Sequence, residues 1–266
     1  MSQRLPISAF IIARNEADRI PKAILSVRDW VDEVIVVDSG STDDTVAIAQ
    51  KLGARTSFHA WQGYGPQKIH AQTLCRNDWL LNLDADEEAT PLVEAEIRSL
   101  FANGEPPHKA YAMNMTFVLP FEDKPRLFAR KVAQGRFFNK TFASFRDSIV
   151  HDNVVLNDGS ALRLLKHGLN HYSERAYAQD VEKMNFYTSM QAENFFRADR
   201  NPGFLLIALT PFFAFIKAYI FRGYFLQGAD GLIRARVYAF WRMMRLAKAR
   251  EKFKEAAIAR RTPPQG

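Results

Sequence analysis

Apolar and polar positions alternate in blocks along the first hundred residues. Ile7-Ser8-Ala9-Phe10-Ile11-Ile12 is an apolar run that gives way to Arg14-Asn15-Glu16 and then to Ala23, Ile24 and Val27 at helical spacing. This predicts a strand, a turn and a helix. Glu33-Val34-Ile35-Val36-Val37 is β-branched and short enough to be a buried parallel strand. It stops at Asp38-Ser39-Gly40-Ser41-Thr42-Asp43-Asp44, a turn in which Ser41 or Thr42 is placed to cap a helix over 45–52. Residues 55–58 and 79–83 read as third and fourth strands, the fourth ending at Asp84-Ala85-Asp86-Glu87-Glu88, with a helix over 91–101. Strands interleaved with helices predict right-handed βαβ crossovers and an open, mainly parallel sheet.

The rhythm changes at Asn103-Gly104-Glu105-Pro106-Pro107 to short segments over 110–119, 126–129 and 161–165, which read as added antiparallel strands and loops. From Arg175 the pattern is helical again, with Val181, Met184 and Tyr187 or Thr188 in phase. Residues 203–221 are strongly apolar but interrupted by Pro211 and Lys217, which makes them marginal against the roughly 20 residues a spanning helix needs. Val237, Phe240, Trp241 and Met244 then fall at i, i+3, i+4 and i+7, with Arg234, Arg242, Arg245 and Lys252 largely around the other face. That is the layout of a helix lying in a membrane interface, or of one packed on the protein body with a solvated basic face. The expected organisation is an α/β domain over 1–200, divided at about 102 into two halves, and a helical, basic extension over 201–266.

Composition narrows the class. A chain of 266 residues that is 47% hydrophobic and 24% charged is globular, which excludes fibrous and disordered readings. Its net charge of +7 is uneven: residues 201–266 hold 12 Lys and Arg against 3 Asp and Glu, leaving residues 1–200 at −2. An acidic body with a basic, apolar tail points to an anionic membrane face and away from nucleic acid. A single cysteine, Cys75, and an amino terminus that leads straight into a strand-like run predict a reducing, cytoplasmic setting.

In an open parallel sheet, ligands bind beyond the carboxyl ends of the strands, which is where the polar clusters fall. Neither GxGxxG after the first strand nor GxxxxGK[ST] is present, so the common dinucleotide and P-loop readings lose their support. Asp84 and Asp86 form a D-x-D at a strand end, a pair suited to a hard divalent cation, Mg²⁺ or Mn²⁺, with positions left for a diphosphate. The competing reading makes them caps for the helix beginning near Thr90. Asp38 is either an Asx-turn residue or a carboxylate that accepts from a base or ribose. Gly63-Tyr64-Gly65-Pro66-Gln67-Lys68 reads as a flexible loop carrying a cation. His167 and His171 stand four apart, but with Gly168 between them and no Glu in place a structural role is favoured.

Taken in order, Ile11-Ile12-Ala13-Arg14-Asn15-Glu16, Val36-Val37-Asp38-Ser39-Gly40-Ser41-Thr42-Asp43-Asp44-Thr45, Gly63 to Lys68 and Leu83-Asp84-Ala85-Asp86-Glu87 resemble the family 2 glycosyltransferases of GT-A fold. Within that family the chain is most similar to the bacterial lipopolysaccharide core β-1,4-glucosyltransferases, and the likeness continues through Val150-His151-Asp152, His171-Tyr172 and Gly223 to Gly228. The resemblance implies a Rossmann-like sheet and an inverting transfer of a hexose, glucose from UDP-glucose, to a lipopolysaccharide inner-core sugar. It implies that Asp38 and Ser39 read the nucleotide base, with Ala13, Asn15 and Glu16 lining its pocket. Lys68 would face the donor, Asp84 and Asp86 would take ribose and the metal-diphosphate, and Asp86 would be the metal ligand. The general base is expected at Asp152, with Asp147 and Asp123 as rivals. The partners implied are a nucleotide-sugar donor, a lipid-linked saccharide acceptor and an anionic surface on the inner face of the inner membrane. A transferase for a polyprenyl-linked or capsule intermediate, or a nonenzymatic nucleotide-sugar-binding module, are the alternatives.

Overall fold

The computed structural model describes residues 3–127, 129–148, 153–172 and 177–261. The chain forms two compact units: Met1–Pro125 with Ala129–Ser173, and Arg126–Phe128 with Glu174–Gly266.

The first unit follows the alternation of the sequence: β1 (Leu5–Ala13), α1 (Ile20–Leu25), β2 (Val31–Asp38), α2 (Thr45–Lys51), β3 (Arg55–Phe58), α3 (Tyr64–Leu74) and β4 (Trp79–Asp84). Then come β5 (Glu87–Ala89), α4 (Pro91–Leu100), β6 (Ala110–Phe117), β7 (Lys131–Asn139), β8 (Ala143–Phe145), β9 (Val154–Leu156), β10 (Arg163–Leu164) and β11 (Leu169–His171). The main sheet has the order β3-β2-β1-β4-β7-β6-β11-β5, with β10 also pairing β6. The first four of these strands are mutually parallel; β7 runs antiparallel to both β4 and β6, and β5 antiparallel to β11.

Strand β1 shows why the parallel core reads as a continuous apolar run. Ile7, Ala9, Ile11 and Ala13 point into a core layer that takes in Ile20, Ala23 and Ile24 of α1, Ala49 of α2 and Val93 and Ile97 of α4. Phe10 points into the opposite layer with Ile35, Val37, Leu80, Phe138 and Ala71 of α3. Both faces are covered, so period-two alternation disappears. The second half departs from expectation. Residues 126–129 are not a strand where described; the long antiparallel strand is β7, whose start at Lys131-Val132-Ala133-Gln134 is too polar to stand out. Residues 64–74, expected to begin as a loop, are helical: after Gly63, at φ 126°, Gly65 and Pro66 fall in the first turn, where Pro66 has no intrahelical N–H bond to lose, and Gln67 to Leu74 contain no break.

In the second unit, α5 (Tyr177–Arg197), α6 (Phe204–Ile216) and α7 (Gly228–Arg261) are joined by a π-helical turn, Lys217–Phe221, and a short 3₁₀ segment, Tyr224–Gln227. Tyr187 stacks on Trp241, Glu193 pairs with Lys252 at 2.9 Å, and the rings of Phe196 and Phe253 lie 5.1 Å apart. These pairings advance together along both helices, so α5 and α7 run parallel and α6 makes the return. The contacts of α5 with α7 place the unit boundary near residue 174 instead of 200.

Candidate active site

Register places the polar clusters side by side. Ala13 pairs with Asp38, Asp38 with Phe58, and Ile12 with Asp84, so the carboxyl ends of β3, β2, β1 and β4 form one edge. Two loops on this edge are tied together. Asn15, at φ 55°, donates its backbone N–H to Ser41 Oγ at 2.9 Å, and its Oδ1 accepts from the Thr42 N–H at 2.8 Å. The Glu16 N–H donates to Thr45 Oγ1 at 2.8 Å, and the Ala13 carbonyl accepts from the Ser39 N–H at 3.0 Å. Ser41 and Thr42 therefore brace the Asn15 loop and do not cap α2, whose first N–H, from Thr45, goes to Asp43 Oδ1 at 3.0 Å. Asp38 is buried and accepts from the N–H groups of Gly40 and Ser41 at 2.8 and 2.9 Å and from Ser41 Oγ. It is the Asx-turn residue of its loop.

The D-x-D pair divides. Asp84 is braced by two fully buried cations: Lys68 Nζ lies 2.8 Å from Oδ1 and Arg136 Nη2 2.6 Å from Oδ2. Burial raises the carboxyl of Asp84, but Arg136 and Lys68 outweigh it and hold the group well below the usual carboxylate range. Arg136 also donates to Asn82 Oδ1 at 2.7 Å and to the buried Glu87 at 2.6 Å, and Glu87 accepts the Asp84 N–H at 3.0 Å. Asp86 is partnered differently, accepting from Arg19 Nη1 at 3.2 Å, with His171 Nδ1 3.7 Å from Oδ1. Burial raises its pKa against the pull of His171 and Arg19. Burial opposes charge on His171 as well, yet Glu87 and Asp86 carry it above its ordinary value. Neither aspartate caps α4; Thr90 does, accepting the Val93 N–H at 3.3 Å.

Among the described residues, no three His, Cys, Asp or Glu side chains converge to hold a metal. The donor set nevertheless fits a hard cation at Asp86. The buried Nδ1 of His171 has no hydrogen-bond partner among the described residues, and it lies 3.5 Å from Glu87 as well as beside Asp86. One carboxylate and one imidazole leave most of a coordination sphere to diphosphate and water, the arrangement Mg²⁺ ordinarily takes up with few protein ligands. A cavity of about 730 Å³ at the amino ends of the strands, lined by Arg4, Arg76, Trp79 and Arg98, contains none of these groups.

Of the residues singled out in the sequence, Ala13, Asn15, Glu16, Asp38, Ser39, Lys68, Asp84 and Asp86 all lie on or under this edge. Lys68 is buried in α3 against Asp84 and Phe145, not carried on a loop. Asp152 lies outside the described residues. Sequence reasoning missed Arg19, Arg136 and the placement of His171. A lone arginine in Gly135-Arg136-Phe137-Phe138, in the apolar half of a strand, was the available signal for Arg136.

Comparison with known proteins shows the family. Residues 8–105 match the model of the family described as Glycosyl transferase family 2. An uncharacterized glycosyltransferase of Rickettsia felis is 43% identical over 92% of this chain and 89% of its own. This chain is a family 2 glycosyltransferase. The mostly parallel sheet of the glycosyltransferase, flanked by helices, is the GT-A fold. It is also similar to the lipopolysaccharide core biosynthesis glycosyltransferase LpsC of Rhizobium meliloti, at 27% identity over 93% of each chain. A solved glucosyl-3-phosphoglycerate synthase from Mycobacterium tuberculosis is similar only in part, over 42% of this chain and 44% of that one, at 27% identity and a TM-score of 0.36.

Proposed function

We propose that this glycosyltransferase moves a hexose, glucose from UDP-glucose, onto an inner-core sugar of lipopolysaccharide with inversion at the anomeric carbon. The observation that carries the reading is the edge of strand ends on which Asp38, Asp84 and Asp86 are lined up, with the buried Nδ1 of His171, which makes no hydrogen bond among the described residues, 3.7 Å from Asp86. The choice of acceptor is supported by the likeness to LpsC along nearly the whole of both chains.

Asp86 and His171 would hold Mg²⁺ or Mn²⁺, which supplies charge neutralisation for the departing nucleoside diphosphate. Asp84 has a different task. Held ionised and in one orientation by Lys68 and Arg136, it presents a fixed acceptor to ribose hydroxyls and does not compete for the cation. The loops Ala13 to Glu16 and Asp38 to Ser41, braced against each other, would close round the base. Asp152 would take the proton from the attacking acceptor hydroxyl. The acceptor is lipid-linked, so the enzyme would work from the cytoplasm at the anionic inner face of the inner membrane. The competing reading, transfer to a polyprenyl-linked intermediate, is separated by offering lipid A-core and polyprenyl acceptors side by side.

Asp86→Ala is expected to abolish transfer and Mn²⁺-dependent UDP binding, read by titration calorimetry, in a protein that still unfolds cooperatively. Normal turnover in that variant would remove Asp86 from the site. Asp152→Asn should lose turnover with UDP binding retained; unchanged turnover would move the base elsewhere.

A further inference from the structure

Where α6 meets α7, the helical unit is built inside out for a protein in water. Phe215 and Ile216 of α6 are half-buried, but the residues most withdrawn from solvent are small: Ala214 on α6 and Ala218 in the π-turn are buried, with Ile207 and Pro211 half-buried. At about 100° per residue the last four share one face. Helix α7, which packs on α6, contributes Gly231, Ala235 and Ala239, each fourth residue and each buried. At its amino end α7 is also seated closely on the 3₁₀ segment, where a Cβ on Gly231 would stand 1.8 Å from the Tyr224 carbonyl oxygen. The large apolar side chains face the other way. Leu205, Leu209, Phe212 and Phe213 are all exposed on the opposite side of α6, and Ile220 and Phe221 are exposed in the π-turn, Phe221 at 80%. Water favours the reverse arrangement, with large side chains in and small ones out. Small residues between helices and large ones outside is what lipid favours, since it offers no hydrophobic drive to bring helices together.

Charge identifies the lipid surface. Between Arg200 and Ala229 there is no Asp or Glu, while Arg200, Lys217 and Arg222 are cationic. The apolar stretch Phe204–Phe221 is 18 residues, or about 27 Å of helix against a hydrocarbon core of about 30 Å. Pro211 lies inside it, and Lys217 sits at the edge of the exposed stripe, where its stem can reach headgroups. With Pro211 and Lys217 interrupting the run and α7 packed on one face, the exposed stripe is available for burial along the plane of one leaflet.

The sequence pattern assigned the interfacial role to α7, but three of the four residues of its stripe are covered within the unit, and Phe240 is the one left exposed, at 46%. Trp241 is stacked on Tyr187, and Val237 and Met244 are half-buried. We propose that α6 and its π-turn are the element that enters the membrane. They lie in the plane of an anionic bilayer with Leu205, Leu209, Phe212, Phe213 and Phe221 among the acyl chains, and α7 stays on the aqueous side as the support of α6. This rests on the reading that the enzyme works at a membrane surface and names the surface it uses.

The test uses the full chain and vesicles of phosphatidylethanolamine and phosphatidylglycerol, 3:1 by the experimenter's choice. Leu209→Ser with Phe213→Ser should lower vesicle partitioning about 100-fold, as expected for two apolar side chains withdrawn from lipid. Thermal unfolding and donor hydrolysis should not change. An environment-sensitive dye on Phe213→Cys should be quenched by acyl-chain nitroxides, and the same dye on Lys254→Cys should not. If the unaltered chain fails to float with the vesicles, the membrane reading and this proposal fall together. If it floats but the Phe213→Cys dye stays unquenched, or the serine variant floats as well as the parent, the membrane reading stands and α6 is the wrong element. A lipid-free dimer that the serine substitutions convert to monomer would assign the stripe to a second copy and overturn the proposal.

Discussion

In the sheet unit, Trp79, Tyr111, Phe137 and Phe138 are buried to within 3% of full, and so are the charged side chains of Arg136, Lys68 and Glu87. In the helical unit Met184 and Leu246 are buried, but along α6 and its π-turn large side chains are outside, Phe204 and Phe221 at about 80% exposure, and the buried residues are alanines, Ala214 and Ala218. The first unit brings ions into its core to build a site; the second turns its apolar surface outward. Both regions are rich in apolar residues, so composition does not separate them. What separates them is which residues each hides and which each exposes.

The comparison can be broken most forcefully at Arg136. If buried charge is what shapes the sheet edge, Arg136→Met strands Asp84 and Glu87 without their shared cation. The expected cost is about 3–5 kcal/mol in urea unfolding followed by circular dichroism. Adding Glu87→Gln to that variant should recover part of the loss, because the most buried of the stranded carboxylates is then neutral. A cost below about 1 kcal/mol would mean that packing, and not the ion network, holds the strand ends.

This network also marks how far the sequence could be read. The four parallel strands and the polar ends of three of them were legible because apolar runs broken by Asp, Ser and Gly have one local meaning whatever surrounds them. Lys68 was legible as a cation but not as a buried one, since burial depends on β8, which brings Phe145 over it. Arg136 and His171 were illegible as site residues because they reach Asp84 and Asp86 through strand order, from β7 and β11, at separations of 52 and 85 residues. In the tail, α7 carried the right periodicity for an interface helix, yet Tyr187 of α5 stacks on Trp241 of its stripe and leaves only Phe240 of the four exposed. Periodicity says that a face is apolar and leaves open what covers it.

A smaller effect is expected at Gly231, where the helical unit depends on the absence of a side chain. Its Cβ would meet the Tyr224 carbonyl oxygen at 1.8 Å and the carbonyl carbon at 2.7 Å, both backbone atoms with no rotamer to escape by. Gly231→Ala should therefore destabilise by about 1–3 kcal/mol, the usual cost of forcing atoms into a packed contact. Loss of the near-ultraviolet signal of Trp241 at lower urea than in the parent is the measurement. An unchanged midpoint would show that α7 is not seated on the 3₁₀ segment.

The smallest expected effect is the most discriminating. Phe137 and Phe213 are the same residue type, one fully buried between Trp79 and Tyr111, the other 61% exposed on α6. Phe137→Ala should cost about 3–5 kcal/mol, as deletion of a buried aromatic does. Phe213→Ser, measured without lipid, should stay within about 0.5 kcal/mol of the parent, as a surface substitution does. A loss of several kcal/mol at Phe213 would mean that the helical unit already covers this face in water, and the contrast between the two units would disappear. With stability unchanged, the side chain contributes nothing to the fold in water, so any loss of vesicle binding by the same variant can be assigned to the lipid contact alone.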